Sequence, residues 1–410
     1  MVKTKKIELV CGAGNWPSLR AAVEAGSDSI YFGLKKFNMR DNASNFDILE
    51  LKKVVNYCHK HKRKAYLTLN SLIYDDEISE LKKILKEAKK TKIDAVILWD
   101  MAAFEIANQL GLKIHLSTQA SVANFSSLKK YFKDGAKRIV LARECRLWQI
   151  KEIAKKIKKE KIDCQLEAFI HGAMCVSISG RCLLSELSFS KPANRGQCLQ
   201  VCRREFKIVD TQDNNEYILG SDYILSPKDL STIDFIDQLI LSGLDSLKIE
   251  GRRRSPEYIF IVASVYKKAI DAFYQNKLDN RYKENLAKEL KKVYNRGFSS
   301  GFYFGQPKKW KSKELENQYQ KIYLGNVVKF YKKIGVAEIE ISNGFLNQGQ
   351  TLLVIGQTTG AKFAKIDQIQ INHQFVDKAK AGQKCGIKLD FIVKPKDKIF
   401  IWSRKKNGKN

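Results

Sequence analysis

Four of the nine cysteines crowd into 28 residues: Cys175, Cys182, Cys198 and Cys202, separated by six, fifteen and three residues. A thiolate is a soft ligand, and four of them complete either a tetrahedral zinc site or a cubane iron–sulfur cluster. The Cys-x-x-Cys knuckle common in structural zinc sites does not occur, and nothing after Cys202 supplies the third thiol of a radical-type loop. The other five, Cys11, Cys58, Cys145, Cys164 and Cys385, are scattered, as buried free thiols are. His171 stands four residues before Cys175 and is followed by Gly172, a residue that lets backbone or substrate approach closely. His171 and Glu167 are the candidates for moving protons. The same residues admit a competing chemistry, a cysteine nucleophile paired with His171. His-Glu-x-x-His and Gly-x-Ser-x-Gly, the usual metallohydrolase and serine-hydrolase signatures, are missing.

Further polar residues fall at the C-terminal ends of predicted strands: Asn70, Asp100, Ser117 with Gln119, Arg143 with Glu144, Glu167, and Lys248, Glu250 and Arg252. Arginine pairs with a carboxylate or phosphate in two places at once, so Arg143, Arg181 beside Cys182, and Arg252 are candidates for holding an anionic group. Lys248, Glu250 and Gln119 complete the expected binding set. Lys248 and Glu250, alternate residues of one strand, also suit a plain structural ion pair. The run Arg252-Arg253-Arg254 suits either a dicarboxylate or an RNA phosphate.

The elements that must carry these residues alternate through the first 250 positions. Short β-branched runs are predicted as strands at 7–10, 29–32, 65–69, 95–99, 114–117, 138–142, 164–170 and 246–250, with amphipathic helical stretches between most of them. Ala-Val-Ile-Leu-Trp and Arg-Ile-Val-Leu-Ala are apolar on both faces, as strands of a helix-covered parallel sheet must be. Eight strands and a final helix add up to a (β/α)8 TIM-like barrel over 1–278, whose chemistry sits at the C-terminal rim of its strands. The crossover after strand seven is anomalously long and carries all four clustered cysteines, an insertion at about 172–225. It includes an expected hairpin at 206–224 around Asp213-Asn214-Asn215. A helical linker is expected over 279–320. From 321 to 410 the pattern becomes alternating strands and turns, a small all-β barrel.

Lys and Arg number 74 against 44 Asp and Glu, a net charge of +30. Such a charge attracts polyanions, with RNA or DNA the obvious ones, unless it reflects only a preference for lysine at the surface. The tail is more basic than average: 304–410 holds 21 basic residues against 8 acidic. Hydrophobic residues at 44% and charged residues at 29% give a globular composition. No apolar run approaches the length of a membrane span, and the start lacks a signal-peptide cleavage pattern. The expected location is the cytoplasm.

Glu167-Ala-Phe-Ile-His-Gly-Ala-Met-Cys-Val-Ser-Ile-Ser-Gly-Arg-Cys-Leu-Leu-Ser185 resembles the signature of the collagenase-like peptidase U32 family. Asn194-Arg-Gly-Gln-Cys198, Cys202-Arg203, Ser226-Pro-Lys-Asp-Leu230, Ser246-Leu-Lys-Ile-Glu-Gly-Arg252 and Asn295-Arg-Gly-Phe298 with Gly301-Phe-Tyr-Phe-Gly305 extend the resemblance. One departure is Leu9-Val-Cys-Gly-Ala-Gly14, where the family usually has a proline. Despite its label, the family's understood branches are oxygen-independent hydroxylases that carry a 4Fe–4S cluster and take the hydroxyl from prephenate. The resemblance therefore implies Cys175, Cys182, Cys198 and Cys202 as cluster ligands, prephenate as co-substrate and RNA as partner. The tight Cys-x3-Cys pair and the small C-terminal barrel look most like the branch that makes 5-hydroxyuridine at the tRNA wobble position. Hydroxylation of a ribosomal RNA cytidine, or a true peptidase, is the alternative. The branch acting on a ubiquinone precursor is less similar.

Overall fold

The computed structural model describes residues 6–204, 206–209, 216–218, 223–307, 311–312 and 316–405. Its first half follows the predicted alternation: β1 (Glu8–Gly12), α1 (Trp16–Glu24), β2 (Ser29–Gly33), α2 (Leu51–Lys60), β3 (Lys64–Thr68), α3 (Ile78–Lys90) and β4 (Ala95–Leu98). There follow α4 (Met101–Gln109), β5 (Ile114–Leu116), α5 (Phe125–Lys133), β6 (Ala136–Val140), α6 (Leu147–Lys159) and β7 (Gln165–Gly172). The helices bury one stripe each: Leu51, Val54, Val55 and Cys58 in α2, and Leu81, Ile84, Leu85 and Ala88 in α3. Those spacings place apolar residues on one face of a 3.6-residue turn.

The crossover after β7 contains α7 (Leu184–Phe189), β8 (Lys207–Val209), β9 (Glu216–Ile218), β10 (Tyr223–Pro227), β11 (Asp229–Ser231) and α8 (Ile236–Ile240). β8 and β9 form the expected hairpin, Lys207 opposite Ile218; its turn, Asp213-Asn214-Asn215, lies outside the described residues. The eighth barrel strand, β12 (Ser246–Ile249), is parallel to both β1 and β7, which closes the ring. α9 (Pro256–Tyr274) covers it. Val10, Tyr31, Tyr66, Ala95 and Ile97 form a small apolar cluster of their own, apart from the main core.

The segment expected as a helical linker is instead built into the barrel. α10 (Asn280–Leu290) buries Leu286 and Leu290 in the main core. β13 (Phe298–Ser299) then pairs with β11, which itself lies antiparallel to the end of β7. β14 (Lys311–Ser312) pairs with β10. Arg296 reaches the buried carboxylate of Asp229, and the Tyr303 hydroxyl donates to the Phe169 carbonyl at 2.7 Å. Apolar residues at this spacing had to find a core, and the barrel flank supplied one.

The C-terminal unit comprises β15 (Tyr319–Tyr331), β16 (Val336–Ile341), β17 (Phe345–Asn347), β18 (Thr351–Gly356) and β19 (Gly360–Lys365). It continues through β20 (Ile369–Ile371), β21 (Gln374–Val376), β22 (Lys378–Lys380), β23 (Lys384–Lys388) and β24 (Lys398–Arg404). An eight-stranded antiparallel sheet, in the order β19-β18-β24-β15-β16-β23-β20-β21, and the β17–β22 pair enclose a second core around Leu324, Ile339, Leu352 and Ile399. This unit is seated on the barrel. Leu353 and Ala361 belong to the barrel-side core, Lys362 pairs with Glu24 at 2.6 Å, and Lys321 pairs with Glu257 at 2.7 Å.

Candidate functional site

Gly14 and Gly172 shape the rim of the barrel. A Cβ on Gly14 would collide with the Arg252 carbonyl, so only glycine lets the end of β1 approach the start of the arginine run. Gly172 has φ +122° and packs on Glu250, a conformation that side chains disfavour. From there the chain leaves β7 and wraps over the mouth.

That loop is pinned at several points. Arg195 pairs with Glu77, Nη1 to Oε2 2.7 Å, and donates to the Leu72 carbonyl. The Cys198 carbonyl accepts from Arg253 at 3.1 Å and Asn42 at 3.3 Å. The Gln200 amide N–H points at the Cys198 sulfur, 3.3 Å away. All four clustered cysteines line one cavity of about 390 Å³, with Arg40, Glu250, Arg253 and Tyr258 on its other walls. Cys175 is exposed and the other three are half-buried, whereas the five scattered cysteines are buried. Burial raises the Cys202 thiol, Arg203 opposes the rise, and the other three sulfurs add to it. Among the described residues no three His, Cys, Asp or Glu side chains converge closely enough to hold a single metal ion. The four thiols are spread around a volume.

Beneath the cysteine cavity lies a smaller polar one at the barrel mouth, shared by Gln119, Arg143, Lys248, Glu250 and Arg252. Five of the predicted binding residues therefore do meet. Arg143 lies over the Phe169 ring at 4.0 Å and bonds to Ser179. Arg252 donates to Thr68 Oγ1 at 2.8 Å and Asn38 Oδ1 at 3.0 Å, while its Nε is buried without a partner. Burial lowers its pKa to about 10 although Glu250 pulls the other way. Glu250 accepts from Arg40 at 3.2 Å and leaves Oε1 buried and unpartnered. Burial would raise this carboxyl, but Arg40, Arg252, Arg143 and Lys248 together hold it at about 2. Arg181 is exposed on the loop, 3.4 Å from the Gln119 carbonyl. Asp100 caps α4, and Glu144 is exposed.

Glu167 and His171, both offered as proton-moving groups, lie outside the two cavities for different reasons. Glu167 is buried and bonded to Lys248 at 2.7 Å, Ser246 at 2.8 Å and Arg138 at 3.0 Å; Arg138 continues to Glu8 at 2.7 Å. Burial favours its neutral form, but Lys248 and Arg138 keep the carboxyl below its usual range. Glu167 thus belongs to an internal ion network and lines neither cavity. In β7, Phe169 and His171 face successive residues Lys248 and Ile249 of β12, so Ile170 is an extra residue, a bulge. A bulge reverses which face the following side chain takes. His171 accordingly shares the face of Ile249 and packs in the helix layer against Tyr258, Tyr266 and Phe298, its Nδ1 3.2 Å from the Tyr266 hydroxyl. Burial pushes it down to about 3, which keeps the ring neutral.

Sequence reasoning missed Arg40 and Asn38. Both come from the β2–α2 connection, 34–50, far longer than a usual strand-to-helix turn. That length was the available signal.

Residues 14–313 match the profile of Peptidase family U32. An uncharacterized protease of Methanocaldococcus jannaschii is 41% identical over 405 residues, covering 96% of this chain and 98% of that protein. A collagenase of Porphyromonas gingivalis is 38% identical, covering 97% and 98%. A tRNA hydroxylation protein of Bacillus subtilis is 36% identical over 312 residues, covering 75% of this chain and 73% of its own length. No helix among the described residues is long and apolar enough to cross a membrane.

Proposed function

The chain belongs to peptidase family U32, and from that membership we propose that it is an RNA-modifying hydroxylase, converting a tRNA wobble uridine to 5-hydroxyuridine with prephenate as hydroxyl source. The observation that carries this reading is the separation of thiols from imidazole. Four cysteines share one cavity with Arg40 and Glu250, while His171, the base a thiol nucleophile would need, packs on Tyr266 in the helix layer. That favours ligation over peptide hydrolysis, although the two relatives that match nearly full length carry protease names. The tRNA hydroxylation relative supports RNA as substrate.

Cys175, Cys182, Cys198 and Cys202, spread around one cavity, would hold a 4Fe–4S cluster. The Gln200 N–H suits a sulfur ligand bearing negative charge. When bound, the cluster supplies one-electron redox capacity. Arg252 and Arg143 would bind the two carboxylates of the donor, with Arg252 already oriented by Thr68 and Asn38, whereas Arg181 lines neither the polar mouth nor the cysteine cavity. The basic C-terminal unit would hold RNA phosphates.

Mass spectrometry of tRNA and rRNA nucleosides from a strain lacking this protein tests the reading. Loss of a 5-hydroxyuridine-derived nucleoside from tRNA is expected, restored by the wild type and not by Cys198→Ser. Loss of a hydroxylated cytidine from rRNA would move the substrate to the ribosome. Unchanged nucleosides, or anaerobic protein with stoichiometric zinc and no labile sulfide, would overturn it.

A further inference from the structure

A third cavity, about 510 Å³, shares Cys182 with the cysteine cavity. Met39 and Gly180 separate it from the cysteine cavity, and Gln119 lines both it and the mouth. Two aromatic rings form its walls, each held in place from behind. Trp99 donates its Nε1 to the Asn70 carbonyl at 2.9 Å. Tyr74, about half exposed at 52%, has the Arg195 guanidinium over one face at 4.8 Å. Flat, rigid aromatic surfaces beside cationic groups are how proteins hold unstacked bases.

The polar groups of this cavity have a pattern. Glu186 is the carboxylate among its lining residues. Gln119 uses its Oε1 to accept from Asn70 at 3.2 Å and from Ser117, which leaves its amide NH2 uncommitted among the described residues. Arg181 is a second donor at the same wall. An acceptor with donors in the same lining complements a ring N–H set between two carbonyls. Uracil has that edge; cytosine presents an acceptor at N3 and a donor at N4.

We propose that this cavity receives one unstacked uracil of a single-stranded RNA, held against Trp99 and Tyr74 and discriminated from cytosine by Glu186. The inference deepens the hydroxylase reading and rests on it for the identity of the bound base as the substrate. It places the reacting base and the carboxylate donor in separate cavities that approach each other at Gln119 and Met39. An enzyme acting on a base must take it out of its stack and read its pairing edge in such a pocket.

The test is photo-crosslinking of the full-length protein to a single-stranded oligouridylate carrying one 5-bromouridine, with the 5-bromocytidine oligomer as comparison. Adducts are expected at Trp99 or Tyr74, with the uridine probe favoured. Trp99→Ala and Tyr74→Ala should each lower the yield about tenfold, with Trp99→Phe restoring most of it. Glu186→Gln should keep the adduct and lose the preference for uridine. Unchanged iron content and circular dichroism show that the variants fold. Adducts elsewhere, no adducts, or a uridine preference unmoved by Glu186→Gln would overturn the proposal. Adducts here with unaltered nucleosides in the deletion strain would keep the base site and sink the hydroxylation reading. Altered nucleosides without adducts here would sink only the base site.

Discussion

Arg40 and Glu250 meet across the barrel mouth, Nη2 3.2 Å from Oε2, although 210 residues separate them in the chain. The pair stands where the cysteine cavity and the polar mouth adjoin, and both residues line both cavities. A guanidinium from the β2–α2 connection thus completes a wall that β12 begins.

The first prediction concerns acid stability. Glu250 ionises at about 2 in the fold against 4.5 for an unperturbed glutamate, because nearby cations outweigh the burial that would raise it. A depressed carboxyl stabilises the fold above the unfolded value and loses that contribution as pH falls through the window from 4.5 to about 2. The contribution at neutral pH is about 3 kcal/mol. Denaturant titrations at several pH values should show Glu250→Gln less stable at pH 7 and with a flatter slope below pH 5. Parallel slopes for the two proteins would contradict this.

His171 should behave as a wall residue. Its neutral ring is favoured by burial, so its contribution is complete above the ordinary value of 6.5 and is lost as pH falls toward about 3. Side-chain nitrogen NMR should find no protonation of this ring between pH 8 and 5. His171→Phe should keep iron binding and hydroxylation within a few-fold. A hundredfold loss of turnover in a folded variant would return His171 to catalysis.

Lys248 and Glu167 should prove strongly coupled. Removing one member of a buried pair strands the other, at a cost of about 3–5 kcal/mol, while Arg138 remains to soften the loss for Glu167. Lys248→Met and Glu167→Gln should each destabilise the fold, and the double variant should cost clearly less than their sum. Simple additivity in unfolding free energies would show that the pair is not coupled.

Arg252 should govern affinity for the proposed dicarboxylate donor. Arg252→Ala should raise the donor KM at least tenfold, with RNA affinity and iron content preserved, and Arg252→Lys should recover only part because lysine lacks the planar fork. Arg143→Ala, in the same polar mouth, should do the same more weakly. An unchanged KM in both variants would remove them from the donor site.

The lysines of β22 and β23 test the basic tail. Lys378, Lys380, Lys384 and Lys388 are all exposed. Their replacement by alanine should weaken tRNA binding and reduce the salt dependence, by about 0.9 in the log–log slope for each phosphate no longer neutralised. Identical slopes would assign the tail another task.

Much of this protein was legible in its residues. Eight two-faced apolar runs with helical stripes between them specify a closed parallel barrel, because that pattern buries every strand on both sides. The cysteine spacing and the polar residues at strand ends marked the mouth, and Gln119, Arg143, Lys248, Glu250 and Arg252 do share a cavity there. Tertiary structure decided which of the marked residues face that cavity. Alternation along β7 puts His171 on the face of Glu167 and Phe169, but one extra residue, Ile170, turns it to the helix layer; local periodicity carries no sign of a bulge set by pairing with another strand. Glu167 pointed inward as alternation requires, yet Arg138, Lys248 and Ser246 met it there, and such a network exists only once β6, β7 and β12 are side by side. Arg40 came from a connection without periodicity of its own, and it became part of the site because the barrel's closure brings β12 back beside β1, near the β2–α2 connection. Periodicity is a property of neighbours along the chain, whereas a site is a property of neighbours across it.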